Sequence, residues 1–234
     1  MLNRVRKALK RPDTGFPVVP LPPLDLAGVM PFVAPEDYLA KFEAEWEKVA
    51  GIAHRVASLT ELEAVLQKAL ESAETDAVVL SGNPWLAELG IAERLTTLNK
   101  LVTSWMAASG VSETTSLSDF TKASFAAGAG ITGVDFVLAE SGTLVLSSAT
   151  ERVQVSSLAP PIHIALYRRN QLVGSLDEVL AKLPILNRQD APTAGRSVVF
   201  ITGTSRTADI EQILIRGVHG PGEVHAILVE DSCR

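Results

Sequence analysis

The sequence predicts an α/β protein with a largely parallel sheet, preceded by helices and an N-terminal arm. From Asp76 onward, short apolar runs of strand length alternate with amphipathic segments, which is the pattern that βαβ units produce. Two of these runs, 136–139 and 143–146, are apolar without interruption, and this favours strands that are covered on both faces. Before Asp76 the apolar residues recur at helical spacing instead. The 234 residues suffice for one α/β domain with a helical appendage.

Composition narrows the class of protein. The chain is 47% hydrophobic and 21% charged with a formal charge of -6, which is typical of a globular protein with a substantial core. Its single cysteine, Cys233, excludes an internal disulfide and any zinc or iron-sulfur site built from its own thiolates, so we expect no metal or cofactor in this chain. The sequence shows neither a signal-peptide core nor a membrane-spanning run, which favours a cytoplasmic protein. Net acidity argues against nucleic-acid binding.

The first 75 residues predict an arm and two helices. Residues 1–35 form the arm: five basic residues precede Pro12, and repeated prolines then prevent regular helix, so we interpret it as a solvated tail or a partner-docking segment. Within 36–75, a first helix begins at Glu36, and a second begins at a Thr60-x-x-Glu63 capping box. The predicted domains are therefore 1–35, 36–75 and 76–234.

The α/β region is predicted element by element. Asn83 is placed to cap a helix that starts at Pro84, Ser118 to cap a helix reaching about Ala127, and Ser175 to open a helix through a second capping box. The glycines of residues 128–133 predict a turn. Strands are predicted at 77–80, 101–105, 136–139, 143–146, 160–167, 197–202 and 223–229.

The first candidate site is the turn Glu140-Ser-Gly142 between two buried strands. Open α/β sheets place ligands at strand ends, and burial would raise the pKa of the Glu140 carboxyl and suit it to nucleophilic or acid-base work. The alternative is a turn carboxylate that accepts from local N–H groups. Gly130, Thr132 and Gly133 would let a ligand approach the backbone. Their G-x-G-x-x-G spacing precedes a strand rather than opening a helix, which argues against a dinucleotide.

Two loops near the C-terminus supply further candidates. In Thr202–Asp209, a strand is followed by Gly, hydroxyl residues and an arginine, a pattern that suits an anion beside a helix N-terminus or, alternatively, a hydroxyl-rich helix cap. Asp209 would pair with the arginine or order the loop. His219, between glycines, could donate to a substrate or act as a base. The four histidines are too dispersed to predict a metal site. The anion-binding candidates of this loop are Thr204, Ser205, Arg206, Thr207 and Asp209.

Three ordered motifs resemble the LUD domain family, and within it the lactate utilization protein C group. They are GITGVDFVLAESGT at 130–143, SRTADIE at 205–211 and GVHGP at 217–221. The resemblance implies a three-layer α/β/α sandwich similar to the superfamily of glucosamine-6-phosphate deaminase, ribose-5-phosphate isomerase and CoA-transferases. It also implies a role in oxidising L-lactate to pyruvate with two iron-sulfur partner proteins. Family I CoA-transferases use a nucleophilic Glu in a Glu-x-Gly turn, and Glu140-Ser-Gly142 is similar.

Two functional hypotheses remain open at this point. In the favoured one, the chain is the cluster-free subunit of an L-lactate oxidation system and works with iron-sulfur subunits. In the alternative, it is a stand-alone acyl- or CoA-transferase-like or sugar-phosphate isomerase-like enzyme, with Glu140 catalytic and Arg206 holding an anion. The sequence leaves the oligomeric state open.

Overall fold

A parallel sheet of seven strands forms the centre of the protein. The computed structural model describes residues 33–105, 112–113, 116–183, 197–208 and 214–233. In these ranges the strands are β1 (Ile52–Val56), β2 (Ala77–Leu80), β3 (Leu101–Ser104), β4 (Ser112–Glu113), β5 (Ala129–Thr132), β6 (Phe136–Leu138), β7 (Thr143–Ser147), β8 (Ile162–Tyr167), β9 (Leu172–Val173), β10 (Val198–Ile201), β11 (Arg206–Ala208), β12 (Leu214–Arg216) and β13 (Glu223–Val229). The central sheet has the order β1-β13-β8-β5-β2-β3-β4, and all its neighbours are parallel. The predicted α/β class with a mainly parallel sheet is confirmed.

Three helices cover one face of this sheet. The α-helices of the described ranges are α1 (Tyr38–Lys48), α2 (Leu59–Ala69), α3 (Pro84–Glu88), α4 (Ile91–Thr97), α5 (Leu117–Ala126) and α6 (Leu176–Lys182). Apolar side chains of α2, α3 and α4 share one buried cluster with alternate residues of the strands, such as Ile162, Ile164 and Leu166 of β8. None of the helices in the described ranges combines the length and the apolarity needed to cross a bilayer.

The opposite face carries a second sheet as well as helices. The order of this sheet is β10-β7-β6-β9, and α1 packs with it and with the central sheet through Phe42 and Trp46, both fully buried. Helix α6 covers its other side through Val179, while Phe120 of α5 packs against the central sheet. The prediction that 136–139 and 143–146 are covered on both faces is therefore correct. A simple α/β/α sandwich does not include this four-stranded sheet.

Residues 36–75 contain a strand, β1, that the sequence pattern did not predict. Strand β1 lies between the two predicted helices and pairs with β13, so the central sheet crosses the predicted boundary at residue 75. Most of the predicted arm, residues 1–32, lies outside the described residues.

Two helix caps lie two residues earlier than predicted. The side chain of Ser58, not Thr60, caps α2 by accepting from Glu61 N, and Ser116, not Ser118, caps α5 by accepting from Asp119 N. The predicted caps at Asn83 and Ser175 are correct, since their side chains accept from Trp85 N and Glu178 N.

Candidate functional site at the carboxyl edge of the parallel sheet

The direction of the chain connections reverses between β2 and β5. From β2 the chain continues through α3 and α4 to β3 and β4 on one side, whereas from β5 it continues to β8 on the other side. Helices α3 and α4 pack on one face of the sheet, and the second sheet that follows β5 packs on the opposite face. Open α/β sheets bind ligands in the crevice that such a reversal leaves at the carboxyl ends of the strands.

A fully buried carboxylate, Glu151, occupies this reversal point. The Ser81 hydroxyl donates to Glu151 Oε2 at 2.5 Å, and the Asn83 amide Nδ2 donates to Oε1 at 2.5 Å. The backbone N–H of Gly133, directly after β5, donates to Oε2 at 3.1 Å. Asn83 is held in place because its Oδ1 caps α3 by accepting from Trp85 N at 3.0 Å. The carboxylate thus joins the loops after β2 and β5.

The environment of Glu151 raises the pKa of its carboxyl. Burial is the main cause that raises the pKa of its carboxyl, from 4.5 to about 7; the hydrogen bonds from Ser81 and Asn83 oppose this, and the charge of Asp135 adds to it. Asp135 itself accepts from Ser147 N at 2.5 Å and from the Thr150 hydroxyl. A carboxyl with a pKa in this range can act as an acid or a base at physiological pH.

Arg152 lines a cavity of about 180 Å³ beside this carboxylate. Its backbone has a φ of 63°, a left-handed conformation that is uncommon outside glycine and concentrates at functional sites. Its stem packs on Gly82, where an added Cβ would lie 2.6 Å from Arg152 Cγ. No ion pair of its guanidinium is found within the described ranges. The cavity is also lined by Leu80, Ser81, Asn83, Pro84, Leu86, Ala87, Ala92 and Ser104.

These groups suit a small anion. An exposed guanidinium without a carboxylate partner can bind an oxyanion through two parallel N–H donors. The cavity lies below the range of about 300–1,000 Å³ that encloses drug-sized ligands, so a ligand that fits it has few heavy atoms. We call Ser81, Asn83, Glu151 and Arg152 the switch-point site.

The glycine-rich segment predicted as a turn is in fact the buried strand β5. A side chain at Gly130 is sterically excluded, because its Cβ would lie 1.8 Å from the Ser156 carbonyl oxygen. The close neighbour of this glycine is therefore the protein's own backbone and not a ligand. Thr132 is fully buried, and its hydroxyl lies 2.9 Å from His163 Nε2. Of the three residues predicted here, Gly133 alone contacts the switch-point site.

Glu140 lies in a turn and contacts a helix end. Its Oε1 accepts from Leu176 N, in the first turn of α6, at 2.8 Å, which is the arrangement of the alternative interpretation. Gly142 has a φ of 61°, and a Cβ there would lie 2.5 Å from Trp46 N of α1. The hydroxyls of Ser141, Thr143 and Thr202 form a chain with 2.8 Å spacings, which connects this turn to the loop after β10.

The predicted helix after the 202–205 loop is wrong. Arg206–Ala208 is strand β11, which pairs antiparallel with β12, so the described residues directly after this loop form a strand and not a helix. Arg206 is exposed and its Nε lies 3.4 Å from Thr204 Oγ1. Thr207 pairs with Ile215 in the ribbon, and Thr204 N donates to Val49 O. Asp209 lies outside the described residues.

The structure joins the second and third predicted motifs. Ser205 N donates to Pro221 O at 2.8 Å, and Gly217 N donates to Ser205 O at 3.0 Å. His219, on the same loop, is exposed. These two bonds hold the loops at 202–205 and 217–221 together. No hydrogen bond within the described residues connects Arg206 or His219 to the switch-point site.

Two histidines that the sequence leaves far apart lie in contact. His54 Nε2 lies 2.9 Å from His225 Nδ1, and His225 Nε2 lies 2.6 Å from Glu223 Oε1. Glu223 begins β13, so this chain of contacts lies at the amino edge of the sheet, opposite the switch-point site. Within the residues that the structure describes, no three His, Cys, Asp or Glu side chains converge as potential metal ligands.

Sequence reasoning missed Glu151, Arg152 and Ser81 as site residues. The available signal was the position of Ser81-Gly-Asn83 directly after a predicted parallel strand, where ligand-binding loops lie. Glu151 and Arg152 follow a polar stretch that carries no such signal.

Comparison with known families settles the relationship. The LUD domain model matches residues 39–229, which include β1, the switch-point site and both C-terminal loops. The chain belongs to the LUD domain family. The motifs at 130–143, 205–211 and 217–221 all lie within this LUD domain.

Curated relatives of this LUD domain match it over part of their length. Lactate utilization protein C of Halalkalibacterium halodurans is 40% identical over 102 residues, 44% of each chain, and the protein of that name from Bacillus subtilis is 37% identical over 107 residues, 45% of this chain and 43% of that one. The uncharacterized protein YkgG of Escherichia coli K12 is 35% identical over 157 residues, 66% of this chain and 63% of its own. The chain thus matches less than half the length of the first two relatives.

A solved structure shares the fold of this LUD domain. A DUF162 family protein from Deinococcus radiodurans superposes with a TM-score of 0.58 at 22% identity, covering 85% of this chain and 99% of that one. At this identity the likeness supports the fold only.

Proposed function

We propose that this LUD domain protein takes part in lactate utilization by binding a small carboxylate at the switch-point site. The relatives named lactate utilization protein C support the process. The observation that carries the binding site is Arg152, which has a left-handed backbone and no ion pair within the described ranges and lines a small cavity beside the buried Glu151. Such a conformation persists only where the surrounding structure holds the residue in place, and it is found repeatedly at functional sites.

The chemistry of the site favours a short 2-hydroxy or 2-oxo acid. The guanidinium of Arg152 suits the carboxylate of the ligand, and the Ser81 hydroxyl can bond a second ligand oxygen because it lines the same cavity. L-Lactate and pyruvate both carry this pair of groups. The apolar wall of Leu80, Leu86 and Ala92 suits the methyl group of either acid.

The proposal assigns electron transfer to partner proteins. Cys233, the single cysteine of the chain, is buried, its thiol donates to Val56 O, and burial raises its pKa, all of which disfavour a thiolate ligand. We therefore propose a cluster-free subunit that works with iron-sulfur proteins in a reducing compartment such as the cytoplasm. We also propose that the domain belongs to the superfamily of sugar-phosphate isomerases and CoA-transferases, with which a parallel sheet covered by helices is compatible.

Calorimetric titration with L-lactate, pyruvate and phosphate tests the proposal. We expect saturable binding of at least one of the two carboxylates to the wild-type chain and no binding in Arg152→Ala. Binding should be weaker in Arg152→Lys, because lysine retains the positive charge but cannot form bidentate hydrogen bonds. Arg168→Ala is the matched control: this arginine also follows a parallel strand, but it contacts Glu88 and stacks over Trp85. Equal affinity in wild type and Arg152→Ala would refute the site.

Glu140→Gln separates this proposal from catalysis at the Glu140 turn. Since Glu140 contacts the backbone of α6, we expect its substitution to leave carboxylate affinity unchanged. Loss of binding in Glu140→Gln, with Arg152→Ala unaffected, would move the site to that turn.

A further inference from the structure

We propose that Ser81 and Glu151 form a proton-coupled pair, in which Glu151 takes up a proton when the ligand presents only acceptor oxygens to Ser81. The inference rests on the proposed function for the place of the ligand. The pair would distinguish a 2-oxo group, which only accepts hydrogen bonds, from a 2-hydroxy group, which can also donate one.

The geometry leaves Glu151 a narrow route to the cavity. Glu151 is fully buried, and both of its oxygens are occupied by donors from Ser81, Asn83 and Gly133. Ser81 and Asn83 line the cavity, whereas Glu151 does not. Ser81 lines the cavity and its Oγ lies 2.5 Å from Glu151 Oε2, so Ser81 links the buried carboxyl to the cavity.

A hydroxyl has one hydrogen to donate, and Glu151 determines where it points. When Glu151 is ionised, the Ser81 hydrogen is directed at Oε2 and the cavity meets only oxygen lone pairs. When Oε2 carries a proton, that proton is donated to Ser81 Oγ, and the Ser81 hydrogen is free to donate into the cavity. Gly133 N and Asn83 Nδ2 keep acceptors in both states, so either state satisfies the buried polar groups.

Charge favours the same response. A bound carboxylate adds a second negative charge near Glu151, with Asp135 already close to it on the side of the 147–151 loop. A like charge disfavours the ionised form of a neighbouring carboxyl. The positive charge of Arg152 offsets part of this repulsion for both acids. The difference between the acids then comes from Ser81, which can accept from the hydroxyl of L-lactate but must donate to the keto oxygen of pyruvate.

The expected proton uptake follows from the starting state of Glu151. A carboxyl with a pKa of about 7 is about half protonated at that pH, so binding can add at most about half a proton there. The uptake is larger between this pKa and the higher pKa of the complex, and it vanishes above both. For L-lactate the uptake is smaller, because its hydroxyl can donate to Ser81 while Glu151 stays ionised.

Titration of the full chain in buffers of different ionisation enthalpy measures this uptake. With HEPES and Tris near pH 7, we expect about half a proton per pyruvate, less per L-lactate, and none for either acid in Glu151→Gln. In Ser81→Ala the difference between the two acids should disappear, because the hydroxyl that senses them is absent. Arg168→Ala should reproduce the wild-type values.

The outcomes separate the inference from the proposed function. Binding of both acids without uptake, or uptake that persists in Glu151→Gln, overturns the proton-coupled pair and leaves the carboxylate site standing. Absence of binding in the wild-type chain overturns both. If Glu151→Gln does not fold, carboxyl carbon NMR of the wild-type protein reports the protonation state of Glu151 directly. Pyruvate should shift the Glu151 resonance toward that of the protonated form. A resonance that does not move would refute the proton-coupled pair.

Discussion

Replacing Glu151 with Gln should remove a large pH-dependent component of stability. The folded protein raises the pKa of Glu151 from 4.5 to about 7, so between these values the folded state binds a proton that the unfolded state has released. Stability from this group is therefore highest at low pH, falls as the pH rises through this window and is constant above it. The rise of this pKa from 4.5 to about 7 corresponds to about 3 kcal/mol of stability.

The wild-type curve alone does not isolate this effect. Burial lowers the pKa of His54 to about 4 and that of His163 to about 3, so these two groups add stability as the pH rises from their folded values toward 6.5. Their contribution has the opposite sign and is common to both proteins. The quantity to measure is the difference between the wild-type and Glu151→Gln unfolding free energies, because the histidine contributions cancel in it.

Denaturant unfolding at several pH values between about 4.5 and 8 supplies this difference. We expect the wild-type advantage to fall by about 3 kcal/mol across the window, on top of a constant offset from the donor that the Gln amide cannot satisfy. Ser81→Ala is the companion variant: it removes a hydrogen bond that favours the ionised form, so the fall should extend to higher pH. Parallel curves for wild type and Glu151→Gln would refute the reasoning.

Three further substitutions test other contacts by the free energy of unfolding. Arg152→Gly should be more stable than Arg152→Ala by up to about 1 kcal/mol, because glycine relieves the left-handed backbone; equal stabilities would contradict strain there. Gly130→Ala should lose roughly 1–3 kcal/mol, since its Cβ would meet the Ser156 carbonyl oxygen, and a neutral effect would show that the strand yields. Thr132→Val should cost about 1–3 kcal/mol because it leaves the buried His163 ring without a hydrogen bond, and a fully stable variant would mean that water replaces the hydroxyl.

Strands were predictable from the sequence wherever burial requires a continuous run of apolar residues. The runs at 77–80, 143–147 and 223–229 are apolar because both faces of their sheets are covered, and this pattern is readable without a structure. Strand β5 has the sequence Ala-Gly-Ile-Thr, which gives no such trace. Its glycine is explained by the Ser156 carbonyl, a contact made in space that no local pattern reveals.

The site was less predictable for the same reason. Ser81 and Asn83 lie 70 and 68 positions from the Glu151 that they contact, and the burial of that carboxylate exists only once the loops after β2 and β5 meet. The helix predicted after the 202–205 loop was wrong for a different reason. The residues of the loop are compatible with a helix start, but pairing with Leu214–Arg216 makes Arg206–Ala208 a strand. Pairing with a strand six to ten positions further along the chain overrode the local preference.

The position of β13 affects how the protein is made. This strand lies between β1 and β8, so a chain still emerging from the ribosome has both neighbours available long before the strand that joins them. Until then two unpaired edges face the gap, and such edges invite pairing with other chains. We therefore expect the domain to complete its sheet only after synthesis of β13, and nascent chains that stall earlier to depend on chaperones.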